Sequence, residues 1–336
     1  MLDVTVVLLD DGLSSTGVMP VEIFHSAGRL WNDLHGHPPD PPFRVRTASI
    51  HGGPVRSPYG LQIVPECAIA DIERTDIVIV PTSGLELDLK FVENSALLPW
   101  LRRQHADGAF IAGVCMGSAY LAEAGLLDGR LATTHWSVRD LMARRYPQVN
   151  WKPELFVTEE SRVLCSGGVC GSIDVSLYLV EKLCGHETAL KTAKVLLLPM
   201  PRVYQSGYAV TPISQPHDDE RVRSVETWLA TNFSGEVSTG ALAEHAGLGE
   251  RTFVRRFKAA TGRLPAAYVQ ALRIDAAKLA LERDAEPIQS ISSSVGYDDV
   301  AFFRTLFKRA TGMTPADYRA HFAPLHVRGD VALATP

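Results

Sequence analysis

The sequence predicts an α/β domain, a sandwich on a mostly parallel sheet, followed by an all-α domain with two helix-turn-helix motifs. Three observations carry this. Over residues 1–198, short β-branched runs alternate with longer helical patterns. From Glu220 onward the pattern is helical throughout. Within that helical part a block of sequence recurs about 50 residues later. The chain has 336 residues, 46% apolar and 21% charged, which suits two globular domains with sizeable cores.

The elements follow in order. Val4–Leu9 reads as a buried first strand; it has no basic leader or cleavage site of a signal peptide. Val21–Trp31 has helical spacing, and Phe43–Ala48 is a second strand. Asp76–Val80 is a continuous apolar run, as a parallel strand covered on both faces requires. Pro99–His105 is helical and Ala109–Val114 is again a strand. Residues 199–219 carry four prolines and little periodicity and read as a linker. The helical domain is expected over 220–322, with a frayed tail over 323–336.

Charge and cysteine content narrow the class. Net charge is −5, but residues 221–320 hold 14 Lys and Arg against 11 Asp and Glu. The remainder holds 19 against 27, so a mildly basic module follows an acidic one. Five cysteines at scattered spacing do not form a disulfide framework, which points to a reducing cytoplasm. Cys165 and Cys170 have no second Cys/His pair, so neither a metal nor another cofactor is expected. No run approaches the ~20 apolar residues of a membrane span.

The repeat is the sharpest signal. Phe257, Lys258, Thr261, Gly262, Pro265 and Tyr268 recur as Phe307, Lys308, Thr311, Gly312, Pro315 and Tyr318, each 50 residues on. Leu242 and Gly247 recur as Ile291 and Gly296, 49 residues on, with the one-residue change in a turn region. In the first copy Ser238 can cap a helix that buries Leu242, Ala243 and Ala246. Gly247 supplies the left-handed residue that ends it. A second helix starts near Glu250, with Phe253, Phe257 and Ala260 as its buried stripe and Arg251, Arg255 and Lys258 on another face. In the second copy Pro287 suits a first turn, and Ile288, Ile291 and Val295 face inward. Asp298 is the expected cap of the following helix, where Phe303 and Phe307 anchor and Arg304 and Lys308 project.

Residues 221–320 resemble the AraC/XylS family, through the F-K/R-x-x-T-G-x-x-P-x-x-Y ending of each copy and the connecting stretch RIDAAKLAL at 273–281. The resemblance implies a transcriptional regulator that inserts two recognition helices into adjacent major-groove segments of double-stranded promoter DNA. By position, Arg251, Val254 and Arg255 of the first helix, and Val300, Ala301, Arg304 and Thr305 of the second, meet base edges. Arg256, Lys258, Lys308 and Arg309 are expected at phosphates. RNA polymerase is a further partner if the protein activates transcription.

The first domain carries its own motif. In FIAGVCMGSAYLAEAGLLDGRLATTHW (110–136), Cys115 stands between an apolar strand and a small-residue helix start, the arrangement of a nucleophile elbow. A helix N-terminus favours the thiolate. His135 follows 20 residues on as a candidate proton partner. Ser83–Gly84 and the Met116 N–H are candidate donors to an oxyanion. Residues 3–195 are similar to the ThiJ/PfpI group of class I glutamine-amidotransferase-like, flavodoxin-like folds, also through CSGGVCGSIDVSLYLVEKLCG at 165–185. With the second module this is the layout of GlxA-like regulators. Enzymatic relatives carry an acid four residues before the proline of the first helix; counting back from Pro20 gives Thr16, and a hydroxyl cannot serve as a carboxylate base. The pattern therefore favours a non-enzymatic domain that senses a small-molecule effector, and the resemblance implies that it forms a homodimer. Its pocket would use Thr16, Ser83, Gly84, Cys115, Met116 and His135. Three roles stay open for Cys115: pocket residue, structural or redox-sensitive thiol, and working nucleophile. The alternative overall is a ThiJ/PfpI-type hydrolase, hydratase or glyoxalase-like enzyme with a DNA-binding tail.

Overall fold

A computed structural model of the chain describes residues 1–209, 217–283 and 285–324. Two compact units divide between Ser206 and Gly207.

The first unit is built on seven strands: β1 (Leu2–Val7), β2 (Phe43–Ser49), β3 (Cys67–Ala68), β4 (Ile77–Val80), β5 (Phe110–Val114), β6 (Val157–Glu160) and β7 (Val163–Ser166). Their order across the sheet is β6-β7-β5-β4-β1-β2-β3. All neighbours pair parallel except the β6–β7 hairpin, where Val157 opposes Ser166. The continuous apolar run is the β4 centre of that sheet, and Ile77–Val80 are fully buried. Each such side chain contributes on the order of 1.5–3 kcal/mol by leaving water. Helices α1 (Ser15–Ser26), α2 (Leu87–Glu93), α3 (Leu97–Ala106), α4 (Gly117–Glu123), α5 (Gly171–Cys184) and α6 (His186–Val195) accompany the sheet. Helix α1 begins six residues before the expected Val21 and runs through Pro20. Pro20 is the sixth residue of this helix, past the first turn, so it costs the helix one i→i−4 hydrogen bond; proline breaks a pattern read from apolar spacing, and here the helix runs through it.

The second unit holds α7 (Glu220–Asn232), α8 (Thr239–His245), α9 (Glu250–Thr261), α10 (Pro265–Arg283), α11 (Ile288–Ser294), α12 (Val300–Thr311) and α13 (Pro315–Phe322). It has two apolar cores, one centred on Phe253 and Phe257 and one on Phe303 and Phe307. The 19-residue α10 gives Tyr268 and Val269 to the first and Ile274, Ala277 and Leu281 to the second.

The expected linker is largely resolved into these units. Arg202 forms an ion pair with buried Asp174 at 2.7 Å, and Gln205 is buried in the first unit. Lys278 of the second unit donates to the Ala209 carbonyl at 2.6 Å. Residues 210–216 lie outside the described residues, as does the expected tail from 325 onward. No helix among the described residues is long and apolar enough to cross a membrane.

Candidate functional site

The first unit's cleft is built from strand ends. β5 runs straight into Cys115, whose φ of +55° is strained for a residue with a Cβ, and α4 begins two residues later. Glycine makes the corner tight. A Cβ on Gly117 would stand 2.2 Å from the Val80 carbonyl oxygen, and one on Gly113 would stand 2.8 Å from the Ser118 nitrogen. The Cys115 N–H donates to the Ser166 carbonyl at 2.8 Å, and its own carbonyl accepts from Ser118 Oγ (2.8 Å) and Thr134 Oγ1 (3.1 Å).

The elbow lines an open cleft of about 650 Å³ at the carboxyl ends of β1, β4, β5 and β7. The chain leaves β1 toward β2 on one side and reaches β4 on the other, so the cleft lies where the strand order reverses. Gly84, Cys115, Met116 and His135 line it as the sequence predicts. Two expected residues do not. Thr16 is buried and spends its hydroxyl on the Leu13 carbonyl at 2.6 Å. Ser83 is buried and shares a hydrogen bond of 2.6 Å with the Tyr120 hydroxyl. In both cases a polar side chain taken out of water is satisfied internally, which turns it from the cleft.

The thiol differs from the expectation of a thiolate. Cys115 is only 7% exposed, and burial pushes its pKa up to about 11 against the backbone N–H groups of Met116 and Gly168 that favour the anion. The thiol is then protonated at pH 7. His135 accepts the Ser137 N–H on Nδ1 at 3.1 Å, which leaves the proton of the neutral ring on Nε2. Burial lowers its pKa, so the ring is neutral at pH 7. The groups that set these two protonation states include no carboxylate.

Sequence reasoning missed the cleft's charged wall. Lys90 is 5% exposed, and its Nζ donates to Asp11 at 2.6 Å and to Glu93 at 2.7 Å. Burial alone would lower its pKa, but the two carboxylates outweigh burial and raise it to about 12. The signal in the sequence was local and weak: a lysine between Leu89 and Phe91 with a glutamate three residues on, in LDLKFVE.

In the second unit each turn is left-handed at glycine, φ +62° at Gly247 and +88° at Gly296. Ser238 caps α8 as expected, accepting from the Ala241 N–H at 3.1 Å. The cap of α12 is Asp299 rather than Asp298; its carboxylate accepts from Ala301 N–H (2.8 Å) and Phe302 N–H (3.1 Å). Asp299 is the residue directly before the helix, where a carboxylate reaches those free donors. On α9, Arg251, Arg255 and Lys258 are exposed on one face. Val254 is half-buried against the first core. Arg256 is not free for phosphate: its guanidinium binds both oxygens of Asp219 at 2.8 Å. Asp219 also caps α7 through the Val222 N–H, so this cation closes a helix corner. On α12, Ala301, Arg304, Thr305, Lys308 and Arg309 are exposed, and Val300 is half-buried. Phe302, absent from the expected set, is 54% exposed there with its ring 6.1 Å from that of Tyr297.

Comparison with known proteins matches both units. The family model described as "DJ-1/PfpI family" matches residues 5–182, and one described as "Helix-turn-helix domain" matches residues 242–321. The chain is 28% identical over 315 residues to the HTH-type transcriptional regulator CdhR of Pseudomonas aeruginosa, covering 93% of this chain and 90% of that protein. It is 33% identical over 173 residues to isonitrile hydratase of Pseudomonas putida, covering 51% of this chain and 73% of that protein. In fold it is similar to the crystal structure of Drosophila melanogaster DJ-1beta, with a TM-score of 0.50 at 22% identity over 59% of this chain and 98% of that one.

Proposed function

The chain belongs to the DJ-1/PfpI family and joins that domain to an AraC-type helix-turn-helix domain, and from this premise we propose a DNA-binding transcriptional regulator whose Cys115 cleft receives a small-molecule effector. The observation that carries the DNA reading is the pair of exposed helix faces, Arg251–Arg255–Lys258 and Ala301–Arg304–Thr305–Lys308, repeated 50 residues apart behind two glycine turns. Arginine bonds guanine bidentately, and alanine and threonine methyls contact thymine. Lys258, Lys308 and Arg309 are exposed, and we assign them to phosphate contacts.

What supports effector binding over catalysis is the protonation state of the elbow. A neutral thiol and a neutral imidazole, with no carboxylate among the described groups that shift either one, make a recognition surface more readily than a nucleophile–base pair. What supports a link from cleft to DNA module is Gln205. Its buried amide donates to the Thr134 carbonyl (2.8 Å), the Leu155 carbonyl (3.0 Å) and Thr133 Oγ1 (3.2 Å). Thr134 holds the Cys115 carbonyl and precedes His135, so the segment leaving this unit is pinned beside the cleft floor. The protein is proposed to act as a homodimer, with RNA polymerase as partner if it activates.

Selection of bound duplexes from a random-sequence library by the full chain tests the DNA reading. Enrichment of one sequence pattern, lost in Arg255→Ala or Arg304→Ala at fixed salt, is the expected result; unchanged preference in both variants refutes the placement of the recognition faces. A thermal-shift screen of metabolites tests the effector reading, because ligand bound only to the native state raises apparent stability. The similarity to isonitrile hydratase favours a second reading, turnover at Cys115. Hydration, hydrolysis or glyoxalase activity abolished by Cys115→Ala would establish it.

A further inference from the structure

The recurrence in the second unit goes beyond the two motifs. Phe257 meets Tyr268 edge to face at 5.2 Å, and Phe307 meets Tyr318 the same way at 5.4 Å. Tyr268 donates to Glu226 and Tyr318 to Glu282. Each turn glycine's carbonyl accepts an arginine: Arg221 Nη1 to Gly247 at 2.9 Å, and Arg273 Nη1 to Gly296 at 2.8 Å. The two arginines differ in reach. The Arg221 bond stays within the first copy. Arg273 spans both, because its Nε donates to the Phe233 carbonyl and its Nη2 to the Gly235 carbonyl, each at 2.8 Å. Those carbonyls form the corner between α7 and α8 of the first copy, whereas Gly296 is the turn between α11 and α12 of the second.

The corner and the turn are in direct contact. A Cβ on Gly296 would lie 2.3 Å from the Ser234 carbonyl oxygen and 2.9 Å from Arg273 Cζ. Phe233 of the corner packs into the second core, and the guanidinium lies over the Tyr297 ring at 5.1 Å. The copies are also joined by the continuous helix α10.

We propose that Arg273 is a positioning residue that fixes the distance and phase between the two recognition helices, and so the spacing of the two DNA blocks that one chain reads. A planar fork with donors in fixed directions holds three carbonyls from two bodies in one geometry, which the single ammonium of lysine cannot do. The geometry matters because DNA is phased. One inserted base pair turns a site by about 35° and moves it ~3.4 Å, so a rigid pair of helices cannot follow it.

The proposal rests on the DNA-reading function above, and its test separates the two. Duplexes selected by the wild-type full chain are remade with one base pair inserted or deleted between the two enriched blocks. Wild type, Arg273→Ala, Arg273→Lys and Gly296→Ala are titrated at one salt concentration, each after its melting temperature is measured. In the wild type the insertion is expected to cost about tenfold or more in affinity, the order of one lost base-pair contact. In the three variants that penalty is expected to shrink to under about threefold, because loosened copies adjust to either spacing. A merely structural role lowers melting temperature and affinity alike on every spacing, and an unchanged insertion penalty in the folded variants overturns the proposal. Failure of the wild type to enrich paired blocks overturns the DNA reading and the proposal with it.

Discussion

At Cys115 two effects oppose each other. The start of α4 favours the thiolate, but a helix of seven residues contributes little against a side chain that is 7% exposed. The consequence is measurable by alkylation. With iodoacetamide at pH 7, exposed Cys170 should react well before Cys115, and the Cys115 rate should climb as pH approaches about 11. Faster modification of Cys115 than of Cys170 at pH 7 would show a working nucleophile and favour the enzymatic reading. Arg255 and Arg256 make the same point for cations. The sequence gives two adjacent arginines; only the fold shows that one is exposed and the other is held by Asp219. Arg255→Ala should cost roughly 1–3 kcal/mol on selected DNA if it reads guanine. Arg256→Ala should lower the melting temperature and leave base preference unchanged.

Within single elements, the helix ends were legible because capping is local chemistry. Ser238, Gly247 and Gly296 could be assigned from sequence for that reason, and Asp298 was off by one residue because positions 298 and 299 are both aspartate. Asp299→Ala should therefore destabilise the second unit by about 0.5–2 kcal/mol, with Asp298→Ala near neutral, as read by denaturant unfolding. Asp219 adds a pH dependence. Arg256 holds its carboxyl below the usual carboxylate range, so the folded pKa lies below the unfolded one. Stability from this pair is present above the unfolded value and is lost as pH falls through the folded one. The acid unfolding of the second unit should start at higher pH in Arg256→Ala than in wild type. The strap at Gln205 was not legible, since its partners at Thr133, Thr134 and Leu155 are 50–72 residues away. It lies in a segment whose prolines read as linker.

For the whole molecule, net charge of −5 gives no hint of nucleic acid, and the proposed reading puts DNA affinity on the two local faces. With Lys258, Lys308 and Arg309 at phosphates, log affinity should fall against log salt with a slope of roughly −2.7 or steeper, about −0.9 for each contact. Lys308→Ala should flatten it by about 1, and Arg256→Ala should not change it. The sequence by itself determined the two-domain order, the parallel sheet, the cysteine elbow and both helix-turn-helix copies. These rest on periodicity, glycine turns and a repeat, all of which act over a few neighbouring residues. Only the tertiary structure decided what faces what. It turned Thr16 and Ser83 away from the cleft and brought Asp11, Lys90 and Glu93 to its wall. It paired Arg256 with Asp219 and set Arg273 between the two copies. Each of these depends on a buried polar group finding its partner across the chain, and nothing local in the sequence specifies that partner.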